Sequence, residues 1–278
     1  MADEAFYLPD GDGRYRSTLS THSPWGPTTQ HGGPPSALLI RELEGLAPAG
    51  GHLARIAVEF LRPVPVAPVT VRGRALRPGR RVQLFEAQMQ ADAEPVLRLT
   101  AWWRRLAPGA VEDVPLVGTP LPDPDAVGVM AARSGFAAAM NRGYIAAMEW
   151  RFAAGGLDIP GPAQAWLRPR IPLLPGEQPS PTQLVLLAVD SGSGISAALD
   201  FRTHLFINLD LVVSILRPPV SGWVSMDGVT AIDSAGGGVA RTVIGDEAGP
   251  VGVSMQTLLV EPHTASRWRP STGPPSAP

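Results

Sequence analysis

Shifted along itself by 155 residues, the sequence lays Phe60-Leu61-Arg62-Pro63 on Ile215-Leu216-Arg217-Pro218, Gly73 on Gly228, and Pro95-Val96 on Pro250-Val251. No gap is needed across this stretch, so the fold must be one that a single chain can build twice. In the first copy, His31-Gly32-Gly33-Pro34-Pro35-Ser36 opens an apolar-periodic segment. Proline suits a first helical turn and Ser can cap, and Ala37, Leu38, Ile40, Leu43 and Leu46 share one face, which predicts a helix. Four strands are expected next, over Arg55–Leu61, Val69–Leu76, Val82–Ala91 and Pro95–Arg104, with turn signals at Arg77-Pro78-Gly79-Arg80 and Ala91-Asp92-Ala93-Glu94. The second copy repeats the order. A helix is expected over Thr182–Leu199, loosened by Ser191-Gly192-Ser193-Gly194, then strands over Phe206–Pro218, Trp223–Asp233, Gly238–Gly245 and Val251–Glu261. One helix followed by an antiparallel meander, written twice, is an α+β pattern.

The remaining segments set the expected boundaries. Residues 1–30 read as a lead-in strand and loop, and Pro108–Pro124, rich in Pro, Gly and Asp, as a linker between halves. Ala126–Met148 is Ala- and Met-rich and partly helical, and Met148–Ala154 and Ala165–Leu174 look like strands around a Gly/Pro loop. The expected organisation is a first module over 1–107, a linker over 108–125, a second module over 126–262 and a disordered tail over 263–278.

Composition excludes several chemistries. The formal net charge of -2 over 278 residues gives no electrostatic footprint for nucleic acid or an acidic membrane surface. All basic residues are Arg, which removes Schiff-base and P-loop lysine chemistry, and the absence of Cys removes disulfides, thiolate metal ligands and thiol nucleophiles. His22, His52, His204 and His263 have no metal-ligand spacing, so no metal is expected. The acidic N-terminal stretch lacks an apolar run, and no segment approaches the ~18 apolar residues of a membrane span. A cytoplasmic protein is the default expectation.

Asp210 stands out within Phe206–Pro218, because an ionised carboxylate among Leu209, Leu211, Val212 and Val213 costs several kcal/mol unless polar groups meet it. A plainer role is open to it, pointing to solvent or capping a neighbouring loop. The 155-residue shift sets Asp210 against Arg55, Thr230 against Ala75 and Gln256 against Ala101. Three polar residues on three strands of the second copy therefore lack counterparts in the first, as expected when a duplicated scaffold keeps one site.

The segments HGGPPSALL, VEFLRPVP, NLDLVVSILRP and VSMQTLLVEP resemble the acyl-CoA thioesterase II branch of the hotdog-fold thioesterases, over roughly residues 20–262. The resemblance implies a double hotdog, two helix-plus-antiparallel-sheet modules fused in one chain, acting on acyl-CoA or acyl-carrier thioesters in fatty acid metabolism with no metal or organic cofactor. It also implies a catalytic Asp, Ser/Thr and Gln from the second module, which fall on Asp210, Thr230 and Gln256. Another branch of the family shows Gly-Gly-Gln at the first helix start; here Gly32-Gly33-Pro34 removes the Gln amide but keeps backbone N–H groups.

With no Cys and no Gly-x-Ser-x-Gly elbow, direct attack by water is the simpler route to thioester hydrolysis. Asp210 would take a proton from that water, and Thr230 and Gln256 would hold it. N–H groups near Gly32 and Gly33 would face the oxyanion, and His31 would contact substrate. Two alternatives remain open: a hydratase or dehydratase using an Asp/His pair, for which His31 could supply the imidazole, and a non-catalytic acyl-binding module. Trp102-Trp103 alternates strand faces and reads as core or subunit interface. Two fused modules mimic a dimer, and further pairing of copies through sheet edges is open.

Overall fold

The structure, a computed structural model, describes residues 4–24, 26, 28–118, 121–129, 142–220 and 222–263. The first half contains strands β1 (Tyr7–Pro9) and β2 (Arg14–Ser17), helix α1 (Gly33–Leu46), and strands β3 (Gly51–Phe60), β4 (Pro68–Arg77), β5 (Val82–Ala91) and β6 (Glu94–Arg105). The second contains a short helix α2 (Gly143–Ala147), strands β7 (Met148–Gly156) and β8 (Ile159–Pro169), and helices α3 (Pro181–Val189) and α4 (Gly192–Ile195). Strands β9 (His204–Asn208), β10 (Asp210–Ile215), β11 (Val224–Ile232), β12 (Gly237–Asp246) and β13 (Gly249–Pro262) complete it. The expected tail beyond His263 and most of Ala126–Met148 lie outside the described residues.

All strands join one antiparallel sheet in the order β1-β2-β4-β5-β6-β3-β10-β13-β12-β11-β8-β7, with β9 also on β13. Counted outward from the central β3–β10 pair, the two directions match strand for strand. The register carries the repeat in the same numbers. Ala57 pairs with Val212, 155 residues on, and the flanking pairs Arg55–Ser214 and Glu59–Asp210 exchange under the same shift. The two copies are thus related by a local two-fold axis through that pair. Each copy also carries a hairpin before its helix, β1–β2 and β7–β8, which completes the meander at either edge.

Two expected elements are broken. Phe206–Pro218 is not one strand: β9 ends at Asn208 and β10 starts at Asp210. At the break Leu209 N–H still reaches the Thr257 carbonyl and Leu209 C=O receives Phe60 N–H, but Thr257 N–H is left to the Asp210 carboxylate. Thr182–Leu199 is likewise not one helix. Helix α3 stops at Val189, where Asp190 and Ser191 turn the chain into the single turn of α4.

Helices α1 and α3 pack antiparallel against each other. The start of α1 crosses the end of α3, where a Cβ on Gly33 would lie 2.4 Å from the Leu187 carbonyl oxygen. At the other end, Glu44 accepts from the Ser180 hydroxyl (2.6 Å) and the Gln183 amide (2.7 Å). Gly73 and Gly228, superposed by the repeat, both sit where a helix presses on the sheet: a Cβ would meet Glu42 and Leu46 in one copy and Ser196 in the other. The core includes Leu38, Leu39, Ile40 and Leu43 of α1, Leu186 and Leu187 of α3, and Ile56, Leu211 and Val213 from the central strands.

The duplicated Leu-Arg-Pro motif clamps the following hairpin in each copy, but at different depth. Arg62 reaches Glu94 at 3.1 Å with both side chains well exposed. Arg217 instead makes two bonds (2.8 and 2.6 Å) to the buried carboxylate of Asp246, which also receives the N–H groups of Val220 and Ala248. Burial works to raise the Asp246 pKa, and these four bonds more than offset it, holding it below the usual carboxylate range. Arg217→Ala should therefore destabilise the fold by about 3–5 kcal/mol, by stranding a buried charge. Arg62→Ala should cost no more than about 1 kcal/mol. Urea unfolding of the two variants checks the contrast; equal losses would contradict it.

His52, in β3, is buried with neither ring nitrogen hydrogen-bonded, and burial together with Arg104 lowers its pKa to about 4. The folded state thus keeps His52 neutral where the unfolded chain protonates it, near pH 6.5. By linkage, this residue lowers stability as pH falls from about 6.5 to about 4. His52→Leu should flatten that limb, read as a smaller drop in Tm between pH 7 and pH 5 than in the parent.

Candidate active site

On β11, β12 and β13, Thr230, Ala240 and Gln256 form one cross-strand row. All three side chains are buried and face the helices. The first copy holds the same row at the same offset, as Ala75, Phe85 and Ala101. There the buried ring of Phe85 fills the middle position, whereas Ala240 leaves it small. Only the second copy therefore has both polar groups, and its α4 turn packs directly on them through Ser193 and Ser196.

Gln256 ties the turn after α3 to the sheet. Its Oε1 accepts from Ser193 N–H (2.8 Å) and its Nε2 donates to the Asp190 carbonyl (3.0 Å). Each amide atom keeps one further hydrogen-bonding site. Thr230 pairs with the Ser196 hydroxyl at 2.8 Å, and Ser196 donates to the Gly192 carbonyl. Ser196 has one proton, so Thr230 is the donor of that pair and its lone pairs remain available.

The Asp210 side chain does not join this group. Along β10, Asp210, Val212 and Ser214 face away from the core, while Leu211, Val213 and Ile215 are buried. Val212 pairs with Met255, exposed on the outer face, and Val213 with Ser254, buried beside Gln256 on the inner one. Asp210 thus lies on the opposite face of the sheet from Gln256, and its carboxylate accepts Thr257 N–H (2.7 Å) at the strand break. Of the three catalytic candidates, the fold brings Thr230 and Gln256 to one face and leaves Asp210 on the other.

A carboxylate that does lie on the inner face is Asp190, which no motif in the sequence singles out. It caps the end of α3 and is 7% exposed. Its Oδ1 accepts from the Asn208 amide (2.8 Å), and its Oδ2 lies 3.0 Å from His31 Nδ1. A Cβ on Gly32 would come within 2.7 Å of the same Oδ2 and of the Phe60 ring, so only glycine lets the start of α1 approach this carboxylate. His31, Gly32 and Gly33 come from the first half, and Asp190, Asn208, Thr230 and Gln256 from the second. The available signal was an Asp directly after an apolar helix and before Ser-Gly-Ser-Gly, a helix-ending pattern.

His31 stacks on Tyr144 (3.7 Å between centroids, 9° between planes). The Tyr144 hydroxyl donates to the Leu187 carbonyl (2.6 Å) and lies 3.0 Å from the Ser191 hydroxyl, which ties the imidazole to the end of α3. His31 Nδ1 faces two groups with opposite needs: Gly33 N–H at 3.2 Å requires a lone pair, and Asp190 Oδ2 at 3.0 Å requires a proton. A proton on Nδ1 satisfies Asp190 and frees Gly33 N–H. Burial lowers the His31 pKa more than Asp190 raises it, which favours a neutral ring. Pro34 and Pro35 carry no N–H, and Ser36 N–H already bonds the Gly32 carbonyl, so Gly32 and Gly33 supply the donors at the positive end of α1.

Two antiparallel helix-on-sheet modules sharing one sheet define a double hotdog. A hotdog-fold protein of unknown function from Alicyclobacillus acidocaldarius is similar over 94% of this chain and 98% of its own, at TM-score 0.73 and 15% identity. Acyl-CoA thioesterase II TesB2 from Mycobacterium marinum is similar over 93% and 96%, at TM-score 0.65 and 15% identity. A TesB protein from Mycobacterium avium subspecies paratuberculosis is similar over 92% and 96%, at TM-score 0.65 and 17% identity. No protein of curated function matches by sequence. The family profiles decide the class: the acyl-CoA thioesterase N-terminal domain matches residues 21–104 and the C-terminal domain residues 111–260. The chain belongs to the acyl-CoA thioesterase family.

Proposed function

We propose that this chain hydrolyses acyl-CoA or acyl-carrier thioesters by direct attack of a water held at Asp190, with Gln256 and Thr230 completing the site. The observation that carries the reading is a buried carboxylate against the start of α1, on the residue whose backbone carbonyl receives the Gln256 amide. Water oxygen bonds to the thioester carbon while one of its protons passes to the Asp190 carboxylate. The resulting oxyanion is met by the N–H groups of Gly32 and Gly33. Collapse breaks the C–S bond, and the departing thiolate takes the proton back from Asp190, giving a carboxylic acid and a thiol. Gln256 orients the water and holds the 190–193 turn against the sheet, and Thr230 buttresses that turn through Ser196. Asp190 here takes the role that the resemblance assigned to Asp210.

The 3.0 Å approach of His31 to Asp190 favours one second reading, addition of water to an unsaturated acyl thioester by an Asp/His pair. Release of free thiol from a panel of acyl-CoAs, run beside hydration of an enoyl-CoA, separates the two. Hydrolysis should survive His31→Phe, which keeps the stack on Tyr144, whereas hydration should need both residues. Absence of thiol release across the panel would overturn the hydrolytic reading.

A further inference from the structure

A groove of about 630 Å³ opens at the far end of the first half, lined by Arg77, Gly79, Arg80, Arg81, Val82 and Arg105. It lies at the tip of the β4–β5 hairpin and the end of β6, away from the candidate active site. Strand β4 starts beside the loop that carries His31, where Gln30 bonds the Pro65 carbonyl, and ends nine residues on at Arg77, roughly 30 Å of extended chain away.

Among the described residues none of the four guanidinium groups has a carboxylate partner. The contrast on the same sheet is direct: Arg74 and Arg98 converge on Glu86, at 2.9 and 2.6 Å. The groove is held by local structure. A Cβ on Gly79 would lie 2.3 Å from the Val82 carbonyl oxygen, Gln83 donates to the Gly79 carbonyl, and Arg105 N–H bonds the Arg81 carbonyl. Arg77 lies over the Trp102 ring at 5.6 Å, which leaves one face of that guanidinium turned from the indole. Four like charges gathered without a counter-charge repel one another until an anion joins them, and planar guanidinium forks match phosphate oxygens two at a time. The volume is that of a small-molecule site.

We propose that this groove binds a ligand carrying at least two phosphate groups, either a nucleotide or inorganic pyrophosphate. The site is separate from thioester chemistry and does not depend on it. Isothermal titration of the whole chain at low salt with ADP, pyrophosphate, AMP and adenosine tests it. ADP and pyrophosphate should bind, AMP should bind about tenfold more weakly, and adenosine should not bind. Equal binding of ADP and pyrophosphate identifies the phosphates as the whole recognition element, and a preference for ADP adds the nucleoside. The double variant R80A/R81A, on an exposed hairpin, should weaken binding about 10- to 100-fold while thioester hydrolysis stays at the parent rate. Arg62→Ala, outside the groove, should change neither. Absence of binding by the parent at millimolar ligand, unchanged affinity in R80A/R81A, or a single-stranded oligonucleotide binding more tightly than ADP would each overturn the proposal.

Discussion

Asp190→Asn should lower kcat for thioester hydrolysis about 10³-fold, the loss typical of a missing general base, while Asp210→Asn should leave kcat within about threefold. The two carboxylates are separated by the sheet itself. The Asp190 carboxylate faces the start of α1 while its backbone carbonyl is held by the Gln256 amide, whereas Asp210 serves the orphaned Thr257 N–H on the outer face. Asparagine keeps an acceptor for Asn208 at one site and for Thr257 at the other, so neither variant loses its fold, and matched Tm values confirm that. Asp210→Ala, which keeps no acceptor, should cost about 1 kcal/mol of stability without touching turnover. Full activity in Asp190→Asn with loss in Asp210→Asn would refute the assignment and return the carboxylate role to the strand.

Gln256→Ala is expected to have two effects at once. It removes the donor to the buried Asp190 carbonyl, which then costs about 1–3 kcal/mol, and the acceptor for the half-buried Ser193 N–H, which costs less. It also frees the turn that sets the Asp190 side chain, and kcat should fall about 10²- to 10³-fold, comparable to losing one fixed polar contact at a reacting centre. Thiol-release kinetics give the first number and urea unfolding the second. Gln256→Glu keeps the acceptor for Ser193 but sets a buried carboxylate against the Asp190 carbonyl, so it should recover neither the stability nor the rate. A stability loss with unchanged kcat would make Gln256 a strut alone.

Much of the scaffold can be read from residues in order. The offset matching Phe60–Pro63 to Ile215–Pro218 is the offset of the central pair, Ala57 with Val212, and of the row Ala75–Phe85–Ala101 on Thr230–Ala240–Gln256. It was legible because strand register is set by side-chain alternation and turn residues, both local properties. The same alternation also carried the face of Asp210, since Leu211, Val213 and Ile215 claim the core face and leave Asp210 with Val212 and Ser214. The pull of a carboxylate among apolar neighbours obscured that parity. The break at Leu209 had no local signal, because Asn208 and Leu209 are interrupted by how β13 pairs, not by their own preferences.

The sequence by itself determined the repeat, its helix-and-meander order, and the loss of polar residues from the first copy. All of these follow from periodicity and from comparing the chain with itself. Only the tertiary structure put Asp190 against the start of α1 and Asp210 on the other face of the sheet. Asp190 becomes special because α3 stops there and two glycines, more than 150 residues earlier, let α1 come against it. Contacts between helix ends so far apart in the chain are fixed by packing on the shared sheet, and no pattern within either segment encodes them.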